Sequence, residues 1–209
     1  MKTIITMLVL TFMGSAMNAQ NIKLPAPQKT GGKSLAECLN ERQTSRDFDT
    51  KKLSLQDLSD LVWAANGLNR PEIGKRTVPT ATNWQEMVLY VATANGIYRY
   101  NAEKHELELV KKGDYRKECG PQPFMTVAPV CFIYVANHDK EGRISDPEQK
   151  LLYSNHHAGY MAQNVYLVCA AKDMATVTIG SVNREALAKV IGLPKNNFVI
   201  YTQPIGYKK

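Results

Sequence analysis

The chain has 209 residues, 44% of them hydrophobic and 22% charged, with a formal net charge of +7. This is enough for one domain with a sizeable core and too little for two, and no repeat or low-complexity tract argues for disorder. The basic residues are scattered rather than gathered in a run, so a nucleic-acid surface is disfavoured, and the positive balance fits a small phosphate-bearing ligand better.

Met1 and Lys2 give a positive start, Ile4 to Met13 an apolar core, and Gly14, Ser15, Ala16 and Ala19 the small residues of a cleavage zone. That is the layout of a secretory signal peptide. Cleavage after Ala19 leaves Gln20 first. The apolar run falls well short of the roughly 20 residues that span a bilayer, and no cysteine follows it, so neither a stable membrane anchor nor a lipid anchor is expected. With no twin-arginine pair before the apolar core, export as an unfolded chain to the periplasm or beyond is the expectation. The division is then a signal peptide over 1–19, an extended arm over 20–33, and one folded domain over 34–209.

Within the domain, Ser34 and Glu37 form a capping box for a first helix whose buried side holds Leu35, Cys38 and Leu39. Ser54 and Asp57 start a second, with Leu55, Leu58, Leu61, Val62 and Ala65 at helical spacing and Gly67 at its end. Met87–Thr93 is apolar and β-branched, Gly96–Tyr100 and His105–Val110 flank a turn at 101–104, and Ala128–Ala136 gives another buried strand. Pro147–Lys172 has helical periodicity, with Ala158, Gly159 and Ala162 allowing close approach of another backbone. Thr176–Val182 reads as a strand, Arg184–Ile191 as a short helix closed by Gly192, and Phe198–Thr202 as the last strand. The order is mixed α+β, without strict βαβ alternation or a glycine-rich phosphate loop.

Two compact clusters carry the chemistry: Arg42-Gln43-Thr44-Ser45-Arg46-Asp47-Phe48 and Pro79-Thr80-Ala81-Thr82-Asn83-Trp84-Gln85. The first resembles the Arg-Arg-Ser-x-Arg-x-Phe segment of the FMN-dependent nitroreductase family, and the second resembles its Pro-Ser-x-x-Asn-x-Gln segment. Gly159 to Leu167, Val177-Thr178-Ile179-Gly180, and Gly192-Leu193-Pro194 leading to Ile205-Gly206-Tyr207 match in order. With Gly96 to Tyr100 they are most similar to the branch that includes azoline-oxidising enzymes of peptide modification. The resemblance implies a central, mostly antiparallel sheet flanked by helices, and a homodimer with FMN at the subunit interface.

It also implies roles. Arg42 would meet the FMN phosphate or the pyrimidine edge through directed, charge-assisted hydrogen bonds, unless it forms a surface ion pair. Arg46 would lie near N1 and the C2 carbonyl, where negative charge collects on reduction; the alternative is a salt bridge to Asp47 or Asp49. Gln43 stands where the family often has a basic residue, and Thr44 where it has serine. Pro79 and Thr80 would shape the turn under the cofactor. Asn83 would face the ring or ribityl chain and Gln85 support the same edge, unless either caps the loop instead. Ile179 and Gly180 would lie against the opposite face of the ring, mainly through backbone, with Gly180 equally readable as a turn glycine. Lys208 and Lys209 fall where relatives place basic phosphate contacts, or form a frayed tail.

No catalytic side chain is singled out, because the flavin carries the hydride or electrons. Neighbouring His156 and His157 point about 100° apart on a helix and make a poor metal pair, so no metal is expected. Cys38, Cys119, Cys131 and Cys169 contain no Cys-x-x-Cys pair, and an oxidising compartment leaves one disulfide open with its pairing undetermined. The expected activity is an exported FMN-dependent oxidoreductase acting by ping-pong on a small organic substrate (nitro, quinone or azoline-like). The rival is a non-enzymatic flavin-binding or electron-relay protein, or a degenerate relative of the same fold.

Overall fold

Strand β4 (Met87–Thr93) lies at the centre, paired antiparallel with β5 (Gly96–Asn101) on one side and β7 (Val130–Asn137) on the other. The computed structural model describes residues 20–209, so the expected signal peptide lies outside the described residues. Around β4 a seven-stranded sheet runs in the order β1–β6–β5–β4–β7–β9–β8, with β1 at Ile22–Lys23, β6 at Glu106–Lys112, β8 at Met174–Thr176 and β9 at Asn197–Tyr207. Each of its pairings is antiparallel. A separate small hairpin joins β2 (Leu68–Arg70) to β3 (Lys75–Arg76).

The two-residue period of the strands divides the core. Leu89, Val91 and Phe132 point into one buried cluster, shared with Leu61, Met161 and Val165 of the helices α2 (Leu55–Asn66) and α3 (Pro147–Ala171). Ala92, Ile133 and Val135 point into the other, closed by Leu187 of α4 (Arg184–Ile191). Covering both faces explains why these strands read as continuous apolar runs rather than as alternating ones. Each fully buried large side chain contributes roughly 1.5–3 kcal/mol.

Helix starts follow the caps in the sequence. Ser34 accepts from Glu37 N–H and Glu37 returns a bond to Ser34 N–H, fixing the start of α1 (Leu35–Glu41). Ser54 caps α2, and Gly67 ends it because a Cβ there would fall 2.3 Å from the Trp63 ring.

Four expectations change. Leu35 and Leu39 are exposed on α1, and only Cys38 is buried there. Gly159 faces open space on the exposed side of α3, near Leu152 and Tyr160, while Ala158 and Ala162 are buried. The strand expected over 176–182 stops at Thr176, because the amide of Thr178 is taken by the Tyr166 hydroxyl and only Ile179 returns to pair with Thr202. β9 runs on past Pro204 to Tyr207; proline's missing donor is tolerated, and the Pro204 carbonyl accepts from Thr176 Oγ1.

The arm is pinned rather than loose. β1 pairs with β6, Gln28 N–H donates to Asp60, and Ser59 Oγ donates to the Pro25 carbonyl. All four cysteines are buried free thiols. Among the described residues no helix is long and apolar enough to cross a membrane, and no group of three or more His, Cys, Asp or Glu is arranged to hold a metal.

Candidate functional site

The first cluster leaves α1 as an extended segment. Arg42 closes the helix, its N–H donating to the Cys38 carbonyl, and Ser45 N–H donates to the Thr176 carbonyl, which draws the segment onto the sheet edge at β8. Tyr166 of α3 organises what lies between. Its hydroxyl accepts the Thr178 amide at 3.0 Å and meets Thr44 Oγ1 at 3.3 Å, and its ring lies under the Arg42 guanidinium, 5.5 Å from the centroid.

Among the described residues, neither Arg42 nor Arg46 makes an ion pair or a side-chain hydrogen bond. Asp49 accepts instead from the Lys51 amide. Arg42 borders a cavity of about 260 Å³ together with Gln43, Tyr166, Cys169, Met174 and Lys208, while Thr44 and Arg46 are exposed further along the same segment. Gln43 is exposed. Lys208 is tied down, bridged to Phe48 and ion-paired with Asp173, and Lys209 N–H donates to Asp47 O. Ile179 is buried with both backbone groups spent on Thr202, and Gly180 is exposed with open space where a Cβ would stand.

The second cluster is a tight loop entering β4. Thr82, Asn83 and Gln85 have φ of 43°, 61° and 51°. Left-handed backbone costs an L-residue roughly 1–2 kcal/mol, so the surroundings must hold the loop in shape. Gln85 is the main strut: its N–H donates to Thr80 Oγ1, its amide nitrogen to Gly74 O and Asn83 Oδ1, and its Oε1 accepts from Arg76 Nε. Lys140 Nζ caps its carbonyl. With its side-chain amide so engaged, Gln85 supports the loop, while the amide nitrogen of exposed Asn83 has no partner among the described residues. Pro79, Thr80 and Asn83 border a polar cavity of about 360 Å³ together with Arg70, Lys75 and Arg76.

Four residues here were given no part in the site from sequence: Tyr166, Arg76, Glu86, and His157, which was weighed only as a metal ligand. Arg76 donates to the Asn66 carbonyl as well as to Gln85, and burial lowers its pKa. His157 Nε2 accepts from Ala81 N–H at 3.0 Å, and its Nδ1 lies 2.5 Å from Oε1 of fully buried Glu86. A usable signal existed for Glu86, since a carboxylate directly before a buried apolar strand needs a partner. Nearby, burial together with the charge of Glu86 pushes Glu141 up to about 6, although Ser154 donates to it.

The two clusters do not meet within one chain. His157 and Tyr166 are nine residues apart on α3, which is two and a half turns, about 14 Å along the axis, and opposite sides of the helix. The buried stripe Ser154, Ala158, Met161 and Val165 runs between them.

A profile of the nitroreductase family matches residues 39–207, a span containing both clusters. The chain belongs to the nitroreductase family. It is 26% identical over 184 residues to a candidate nitroreductase of Methanocaldococcus jannaschii, covering 83% of this chain and 91% of that protein. A crystal structure of a candidate nitroreductase from Ralstonia eutropha superposes with a TM-score of 0.86 at 37% identity, over 91% of this chain and 90% of the other. An NADPH:FMN oxidoreductase from Vibrio harveyi, complexed with NAD⁺, shares the fold at a TM-score of 0.61 and 16% identity, over 84% of this nitroreductase-family chain and 69% of its own. The family is one of oxidoreductases that generally use a flavin.

Proposed function

We propose that this nitroreductase-family protein is an exported FMN-dependent oxidoreductase, working as a homodimer with each flavin held between two copies. The observation that carries this reading is the placement of the two clusters on opposite sides of α3. Each alone is half a cradle, and a second copy can bring the Asn83 loop of one to the Arg42 segment of the other. The exposed apolar side of α3, with Leu152 and Tyr160, supports a partner there.

The donor set fits the cofactor. Unpaired Arg42 and Arg46 with the Thr44 hydroxyl suit a phosphate or the electron-rich pyrimidine edge, and the free amide nitrogen of Asn83 suits a carbonyl or ribityl oxygen. Pro79 and Thr80 shape the loop, and Gly180, with no side chain, lets backbone lie flat against a ring. When bound, FMN supplies hydride or electron transfer through N5, with donor and acceptor using one pocket in turn. The protein's share is orientation, a fixed cation from Arg46 near the ring, and exclusion of water.

Outside the cytoplasm reduced nicotinamide is scarce, so the donor differs or the reaction runs as oxidation of a small substrate, as in the azoline-oxidising branch. A second reading, a flavin carrier without turnover, is favoured by exposed Gln43, which leaves the cradle one cation short of the family pattern.

The visible spectrum of the protein after incubation with FMN and removal of excess cofactor tests the reading. Retained flavin, lost on Arg42→Ala and Asn83→Ala, is expected; a folded protein that never retains flavin overturns it. Turnover with a reduced nicotinamide and a quinone or nitroaromatic then separates enzyme from carrier.

A further inference from the structure

His157 is buried on α3, and the cofactor reading gives it no role. A backbone amide can only donate, so the Ala81 N–H requires a lone pair on His157 Nε2. The imidazole proton is then on Nδ1 and donates to the Glu86 carboxylate. Ala81 opens the short turn that carries left-handed Thr82 and Asn83, and Glu86 directly follows left-handed Gln85. One imidazole therefore ties both ends of the strained stretch to the central helix.

We propose that His157 is the positioning residue of the Asn83 loop, holding it only while the imidazole is neutral, with Glu86 fixing the tautomer. The proposal rests on the reading of Asn83 as a flavin contact. A proton arriving at Nε2 sets one N–H against another, the Ala81 bond breaks, and Asn83 loses the support that keeps it presented.

Several groups face the imidazole from the elements packed against it. Glu86 faces it from the approach to β4, Glu141 from the turn after β7, and Tyr153 and Tyr160 from adjacent turns of α3, with the non-titrating Trp84 ring at 6.3 Å. Behind them, Ser154 Oγ contacts both Glu141 and His138, while Lys150 and Lys140 cap the carbonyls of His138 and Gln85. Glu86 and Glu141 each keep one buried oxygen without a partner among the described residues.

FMN affinity of the whole protein, read by flavin fluorescence between about pH 5 and pH 8, tests the coupling. His157→Gln offers an acceptor oxygen to Ala81 and cannot take up a proton. Its affinity should match wild type near neutral pH, whereas wild type weakens by roughly tenfold more than the variant as pH falls; titration of the FMN phosphate is common to both. Parallel pH profiles for wild type and His157→Gln overturn the proposal.

A second measurement needs no flavin. Nitrogen NMR should find the proton on His157 Nδ1, and the Ala81 amide should be protected from exchange in wild type and His157→Gln but not in His157→Phe. Equal protection in all three overturns the positioning role. If FMN is retained at no pH, the flavin reading falls while the exchange data still decide whether His157 positions the loop.

Discussion

Arg42 holds its guanidinium over the ring of Tyr166, whose hydroxyl joins Thr44 to the amide of Thr178. One aromatic side chain on α3 thereby positions both the cation that ends α1 and the segment that leaves β8. This explains why the loop after Thr176 abandons the sheet: its donor is taken by a side chain instead of a strand.

Tyr166→Phe keeps the ring under Arg42 and removes only the hydroxyl. The expected result is a loss of about 1–2 kcal/mol in stability, the usual range for two hydrogen bonds at a partly buried hydroxyl, with FMN affinity reduced a few-fold. Arg42→Ala should leave stability nearly unchanged and weaken FMN by about ten- to a hundredfold, since a charge-assisted bond is lost. Urea unfolding and flavin fluorescence, run on both variants, separate the two roles.

Lys172 bridges two carboxylates of α2, 2.8 Å from Asp57 and 2.8 Å from Asp60, and Tyr207 donates to Asp57 as well. Burial alone would raise Asp57, yet bonds from Lys172, Tyr207 and Ser54 hold its carboxyl below the usual range. A carboxyl that binds protons more weakly when folded adds stability above its unfolded pKa, and this is lost as pH falls through the lower folded value. Lys172→Met should cost about 1–3 kcal/mol near neutral pH, discounted for partial exposure, and make the acid loss of stability shallower. Thermal unfolding as a function of pH reads both effects.

Glu141 has the opposite sign. Burial first, and then the Glu86 charge, raise its carboxyl to about 6. Folding therefore favours the protonated form, and stability should fall as pH rises from the ordinary carboxylate range through about 6. Glu141→Gln keeps an acceptor for Ser154 and removes the charge. It should be more stable than wild type near pH 8 by on the order of 1 kcal/mol and indistinguishable near pH 4; a variant less stable at both values would contradict the assignment.

Much of the fold was legible because its cues are local. Ser34, Ser54 and Gly67 marked helix ends, and the apolar runs at Met87–Thr93 and around Val130–Ala136 located the central strands. The candidate site reads from sequence as two segments, around Arg42 and Thr44 and around Asn83, which the structure places on opposite sides of α3. What the sequence could not carry depends on distant partners: Tyr166 taking the Thr178 amide, Arg76 bracing Gln85, and His157 meeting Glu86 across 71 residues. Left-handed backbone at Thr82, Asn83 and Gln85 was equally hidden, since no glycine marks it and only the finished set of bonds enforces it.

That loop gives a last pair of substitutions with opposite signatures. Asn83 is exposed and, among the described residues, its side chain bonds only to Gln85, at 3.3 Å, so Asn83→Ala should leave urea stability within about 0.5 kcal/mol of wild type while weakening FMN binding. Gln85 is bonded through its backbone and its amide to Thr80, Gly74 and Arg76, and half-buried Arg76 would lose an acceptor on its removal. Gln85→Ala should therefore cost about 2 kcal/mol, as expected when several bonds to one partly buried group are lost, and weaken FMN too. If the two variants lost stability equally, Asn83 would be part of the loop's frame rather than a group presented from it.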